Sequence, residues 1–294
     1  MLKKKLEVNA ALLLGLFSLS ILLVLPVRVY QFLRVIEPGT GFYENPDFSV
    51  PVLYGLLALF GGAMLVISFI NRRKIFFSTT VRKSPGLGVI ALATAGTFFA
   101  DAVIMYQNFT SLHYGTAQNM GGETTYGIMK SGALPMLFEA VFAIFAAIFF
   151  IVLGVAYISG KSNGSQFKLL AITPLAWSIC RILHRFMRTI SFVNVSDLLF
   201  ELLMIVFLMI FFMAFAQLIS RVNHKGADWK LVGFGLPAAL LCLLCFVPRA
   251  VILAMGKGDL LTNLSPPEYC DLAIAVFILA FILSKVRFMK REGI

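Results

Sequence analysis

An all-α bundle of eight membrane-spanning helices is the fold class this sequence predicts, and three observations predict it. Of its 294 residues, 60% are hydrophobic and 13% charged, with a mean hydropathy of +0.91, whereas roughly a quarter of residues are charged in soluble domains. The apolar residues gather in eight runs of about 20, the length that crosses a bilayer. Lys and Arg concentrate in alternate connections between those runs, as orientation in a membrane demands. A bundle of this size uses the chain as one integral membrane domain, residues 1–294.

The same observations exclude other classes. The formal net charge of +11 does not signal nucleic acid, because the basic residues lie beside apolar segments and no soluble basic domain is long enough to hold a duplex. Cys242 and Cys245 form a C-x-x-C inside a leucine-rich run, where zinc would lack polar outer partners, so packing is their expected role. A disulfide is open only to cysteines near the outer end, such as Cys180 and Cys270. The opening M-L-K-K-K-L-E has the charge order of a signal peptide. Its apolar run is too long for a typical h-region and has no A-x-A site, so an uncleaved first span is expected.

The spans follow in order. The first covers 10–31, with Pro26 and Arg28 near its exit, and the loop G-T-G-F-Y-E-N-P-D-F leads to the second, 50–71, which carries a stripe of Gly55, Ala58 and Gly62. The third, 86–109, holds Asp101 and precedes a polar loop from His113. The fourth, 133–159, opens on P-M-L-F-E with Glu139 and carries Ala140, Ala143 and Ala147 at helical spacing; both small-residue stripes predict close helix packing. The fifth, 167–190, contains Trp177 and then C-R-I-L-H-R-F-M-R, which puts Arg181, His184, Arg185 and Arg188 on one helix face. The sixth, 195–220, opens on D-L-L-F-E with Asp197 and Glu201. The seventh, 229–255, ends near Pro248 and Arg249, and the eighth, 267–286, opens on P-E-Y-C-D with Asp271. The recurrence of P-M-L-F-E, D-L-L-F-E and P-E-Y-C-D, with P-V-L-Y-G at Pro51 in the same position but uncharged, reads as four helical hairpins in series.

With both termini cytoplasmic, the inner segments hold Lys3, Lys4, Lys5; Arg72, Arg73, Lys74, Arg82, Lys83; Lys161, Lys168; Arg221, Lys225, Lys230; and Lys285, Arg287, Lys290, Arg291. These are 17 of the 25 basic residues, against three acids, Glu7, Asp228 and Glu292. The outer connections carry the glycosylation sequons at Asn108, Asn194 and Asn263.

This topology gives each charge a depth. At 1.5 Å per residue Arg181 lies about 20 Å from the inner end of its span and Asp101 about 22 Å from Gly86, while Glu139, Glu201 and Asp271 lie about 6 to 8 Å below the outer ends of theirs. Arg28, Arg185 and Arg249 come out near the outer interface. Charges at such depth are paired or functional. The expected pairs are Arg181 or Arg185 with Glu201, Arg188 with Asp197, and Arg249 with Asp271. Arg28 or His184 meets Asp101 or Glu139 only if the bundle joins distant hairpins.

Two uses of this layer are open: salt bridges that fix helix register, or an outward-facing pocket for a small charged or zwitterionic ligand. Tyr30, Tyr54, Tyr106, Gln107, Asn108 and Trp177 lie at similar depth and also suit the interfacial aromatic belt. Binding or transport of such a solute across a plasma membrane is the leading expectation. The alternative is a non-enzymatic sensor or accessory subunit with a membrane or cytoplasmic protein partner. A lipid-directed enzyme comes third: Arg181, His184, Arg185 and Arg188 suit a phosphate, but the chain has no H-E-x-x-H, G-x-S-x-G or Walker loop. His113, His184 and His224 are too dispersed for a metal set, so no catalytic residue, metal or cofactor is expected, and the lipid bilayer is the one certain partner.

Overall fold

The charges that interrupt the apolar runs are turned inward by the helices that carry them. In the computed structural model the described residues are 10–38, 40–44, 47–72, 75, 77, 83–119, 133–160, 168–187, 195–220, 226–261 and 268–291. Among them are eight α-helices: α1 Ala10–Arg34, α2 Ser49–Ile70, α3 Pro85–Asn119, α4 Ala133–Ser159, α5 Thr173–Met187, α6 Val195–Ser220, α7 Ala227–Ala254 and α8 Tyr269–Arg291. Short 3-10 turns, Leu170–Ile172 and Gly258–Leu261, precede α5 and follow α7. No strand occurs among the described residues beyond an isolated antiparallel bridge between Ile36 and Tyr43.

Six of these helices, α1 to α4, α6 and α7, are long and apolar enough to cross a membrane, and the chain is a multi-pass membrane protein. The other two expected spans fall short of that standard. Helix α5 has 15 residues, about 22 Å against a hydrocarbon core of about 30 Å, and three of its residues are Arg181, His184 and Arg185. The apolar part of α8 is Tyr269–Ser284. Helix α3 departs in the other direction. It runs to Asn119, so the stretch from His113 that reads as loop is helical, its Gly115 notwithstanding. Arg188, the sequons at Asn194 and Asn263, residues 120–132 and most of the basic connections lie outside the described residues.

The chain divides into two compact units. The first comprises Met1–Ser78, Val193–Phe207 and Asn223–Ile294; the second comprises Thr79–Phe192 and Leu208–Val222. In the first unit α1, α2 and α8 each pack on α7. Helix α7 is the enclosed element, 83% buried over its most apolar window, and α2 the most exposed at 17%. Gly233 of α7 lets Ser68 of α2 approach, since a Cβ there would lie 3.1 Å from the Ser68 Cβ. Among the described residues no helix packs on the small-residue stripe of α2: Gly55 and Ala58 are exposed, and a Cβ at Gly55 or Gly62 would meet nothing within 4 Å. The small residues that admit the neighbouring helix lie on α7 instead.

In the second unit α4 packs between α3 and α5. Its inward stripe runs through Ala140, Ala143, Ala147, Phe150, Gly154 and Tyr157, spaced by three and four residues, and these and Glu139 are buried. Near its far end the backbones touch: a Cβ at Gly154 would lie 2.9 Å from the Gly88 carbonyl oxygen, and one at Gly88 2.8 Å from that of Gly154. Only hydrogen at both positions allows this approach.

Around an apolar core, the same helices bury charges and expose large apolar side chains. Leu22, Leu59, Val66, Ile151 and Val155 are exposed on the helices, while Arg28, Asp101, Glu139, Arg181, His184, Asp197, Glu201, Arg249 and Asp271 are buried. Hydrocarbon around the helices accounts for both halves of that pattern, because apolar side chains lose nothing by facing lipid and charges must find protein partners.

Candidate functional site: two buried polar clusters

The first cluster lies within the first unit and is built around Arg28 of α1. Two residues earlier Pro26 removes a backbone donor from the helix. Arg28 Nη1 donates to Gln31 Oε1 at 2.7 Å and to the Tyr43 hydroxyl at 3.3 Å, and Nη2 donates to Asp197 Oδ1 of α6. Its guanidinium carbon lies 4.7 Å from the Phe32 ring centroid and 4.9 Å from that of Phe200, and Tyr54 stacks on Phe200 at 5.4 Å. Gln31 in turn donates to the Ser49 carbonyl at 3.0 Å. A planar guanidinium with several donors, faced by aromatic rings, is held from several sides in this arrangement.

Tyr43 reaches this cluster because the chain after α1 folds back. Glu37 N donates to Phe42 O, and Glu44 N to Val35 O, both at 2.9 Å, with Gly41 at φ +69° where L side chains are strained. Ile36 anchors the turn against Phe32, Ile252 and Leu261. The segment is therefore a lid fixed to α1, the end of α7 and the 3-10 turn beyond it.

Helix α6 presents Asp197 and Glu201 four residues apart on one face. Arg249 of α7, directly after Pro248, places Nη2 3.0 Å from Glu201 Oε1 and 3.4 Å from Asp197 Oδ2. Asp197 is thus flanked by arginines from two helices. Asp271 of α8 is buried as well. The buried charged side chains described in this unit are two guanidiniums and three carboxylates.

The second cluster lies within the second unit. Trp177 Nε1 of α5 donates to Asp101 Oδ2 of α3 at 3.0 Å, and the indole also meets Phe98 edge to face at 4.8 Å between centroids. Arg181, one turn further on, lies with its guanidinium carbon 5.0 Å from the Trp177 ring centroid. His184 Nδ1 is 2.7 Å from Glu139 Oε2 of α4, and both side chains are buried. Arg185 is half-buried on the same face. One face of α5 therefore meets an acid from each of α3 and α4.

The sequence-expected residues thus separate by unit: Arg28, Glu201, Arg249 and Asp271 in the first, Asp101, Glu139, Arg181, His184 and Arg185 in the second. Glu201 accepts from Arg249, and Arg249, expected opposite Asp271, also flanks Asp197. Arg188, expected opposite Asp197, lies outside the described residues. Gln31, Tyr43, Ser49 and Phe200 belong to the first cluster and were not among the expected residues. Gln31 had a readable signal, three residues after Arg28 on the same helix face. Tyr43 had a weaker one, the Gly39-Thr-Gly41 turn that sends the chain back.

None of the four cysteines, all among the described residues, forms a disulfide. The multi-pass helical fold and its inward-facing charges define the class of this protein, and comparison with known families, curated proteins and solved structures finds no match to the chain.

Proposed function

We propose that the protein binds a small charged or zwitterionic solute at the cluster around Arg28, Asp197 and Arg249, and carries it across the plasma membrane. In this reading the chain crosses eight times, α5 and α8 included, as one domain with repeated hairpins. Both termini are cytoplasmic and the clusters lie toward the outside. The bias of 17 of 25 basic residues to one set of connections supports that orientation.

The observation that carries the reading is Asp197, one carboxylate flanked by guanidiniums from α1 and α7. The arrangement suits a ligand carboxylate that takes its place between the two guanidiniums. The test is thermal stabilisation of purified protein by a panel of amino acids and small carboxylates. A true ligand at one hundred times its Kd adds about 2.7 kcal/mol, and Arg249→Lys, which keeps charge but loses the planar fork, abolishes that gain. A panel without effect on wild type, alongside a plain loss of stability in Arg249→Lys, would make the cluster a device for helix register.

One observation favours the alternative of an accessory subunit, namely the outward stripe of Gly55, Ala58 and Gly62 on the least covered helix. Small residues in lipid admit close approach of another helix. Co-purification of a membrane partner that is lost in Gly62→Leu would support it.

A further inference from the structure

We propose that the ends of α1 and α7 beyond Pro26 and Pro248 form one cap, hinged at those prolines, that moves both guanidiniums of the first cluster toward or away from α6 together. The cohesion of the cap stands on its own geometry, and its use as the gate of a solute site rests on the transport reading above.

The two helices are built alike near their ends. Each holds a proline inside the helix, Pro26 in α1 and Pro248 in α7, and an arginine follows, Arg28 two residues on and Arg249 one residue on. A proline offers no N–H to the carbonyl four residues earlier, and its ring presses on that carbonyl. The Leu22 and Leu244 carbonyls therefore lack that rung of backbone bonding, and each helix bends more easily there. Pro237, earlier in α7, has no counterpart in α1.

Beyond the prolines the two ends are joined by apolar groups. Phe32 and Ile36 from the α1 side and Ile252 and Leu261 from the α7 side form one buried cluster, with Leu33, Tyr43 and Leu260 packed on it. After α7, Lys257 N donates to Ile252 O and Leu260 N to Lys257 O, both at 3.1 Å, a return that brings Leu261 back to Ile252. The turn at Gly41 does the same for Tyr43, which bridges to Ile36. Arg28 is held on this side by Gln31, Tyr43 and the Phe32 ring.

Toward the rest of the unit the contacts change character. Arg28 reaches Asp197 and the Phe200 ring, Arg249 reaches Glu201 and Asp197, and Gln31 reaches the Ser49 carbonyl at the start of α2. An opening that admits water hydrates guanidiniums and carboxylates alike, so these contacts are exchanged rather than simply lost. Wetting the apolar cluster brings no such return. Separation is therefore easiest between the guanidiniums and α6, with bending at the two prolines. Because the apolar cluster joins the ends, release of either arginine favours release of the other.

The test is amide hydrogen exchange of purified full-length protein in detergent, read in 28–36 of α1, in 249–255 of α7 and, as a reference outside the cap, in 56–66 of α2. In wild type the slowest amides of the two ends should share one protection factor, as members of one opening unit do. Glu201→Gln, which weakens a contact of the α7 end alone, should speed exchange at both ends by the same factor, about ten-fold or more, and leave 56–66 unchanged. Adding Phe32→Ala, which breaks the apolar cluster, should confine the effect to α7. Should Glu201→Gln fail to fold, Pro248→Ala gives the opposite sign: an N–H restored to the Leu244 carbonyl stiffens the hinge and should slow exchange at both ends. Unequal protection of the two ends in wild type, an effect confined to 249–255 without Phe32→Ala, or an equal effect in 56–66 would overturn the proposal. Matched exchange at the two ends in a wild type that binds and carries no solute would keep the cap and remove the transport reading. Uptake sensitive to Arg249→Lys with ends that open independently would do the reverse.

Discussion

Arg28 of α1 and Asp197 of α6, 169 positions apart, form a buried ion pair in the first unit's polar cluster. Removal of one partner leaves the other charged in a buried site, which costs about 3–5 kcal/mol. Arg28→Leu and Asp197→Leu should each lower stability by that order in detergent unfolding. The double variant should lose clearly less than the sum, because neither charge is then stranded. Additive losses would mean that the two side chains do not depend on each other.

The contact between Gly88 and Gly154 gives a prediction from sterics alone. A Cβ at Gly154 meets the Gly88 carbonyl and the Leu92 side chain inside 3.0 Å, so Gly154→Leu should separate α3 from α4 and abolish folded yield. Gly62→Leu, where a Cβ meets nothing within 4 Å, should change the monomer's stability by no more than about 0.5 kcal/mol. Size-exclusion profiles and thermal unfolding of the two variants check both halves.

Trp177→Phe keeps the ring that faces Phe98 and Arg181 but removes the donor that holds Asp101. Loss of that hydrogen bond to a carboxylate costs about 1.5–3 kcal/mol, and Trp177→Leu should cost more because the aromatic contact goes too. Equal stability of Trp177→Phe and wild type would show that Asp101 is held by other groups.

At the start of α2 the Ser49 hydroxyl and backbone N–H hold the Asp47 carboxyl below its ordinary value of 3.8. Because the folded value is depressed, the stabilisation is full above 3.8 and is lost as pH falls through the lower folded value. Asp47 is partly exposed at the helix start, so the effect is local. Amide exchange in the first turn of α2 should speed up at acid pH in wild type, and Asp47→Asn should flatten that dependence.

Legibility in the sequence followed the range of the interaction. Apolar length and helical spacing are local, and they disclosed the helices, the inward set of charges and the face of α5 that carries Arg181, His184 and Arg185. Partners are not local. Arg249 meets Glu201 across 48 positions, His184 meets Glu139 across 45 and Trp177 meets Asp101 across 76, and no local spacing specifies such pairs. The stripe on α2 is legible only in part for a related reason, since small residues mark a surface that a helix can approach without saying which helix does. Helix α3 outran its apolar stretch because continued backbone hydrogen bonding needs no hydrophobic residue.

The central claim, that the buried arginine and carboxylate cluster handles a solute, is tested most directly by uptake into sealed proteoliposomes. Labelled amino acids and small carboxylates would be supplied outside, with wild type compared with Arg249→Lys at equal folded protein. The account predicts saturable uptake of at least one zwitterion or anion by wild type and a loss of ten-fold or more in Arg249→Lys, about 1.4 kcal/mol of binding or transition-state free energy. Uptake unaffected by Arg249→Lys, or no uptake and no binding by folded wild type, would contradict it.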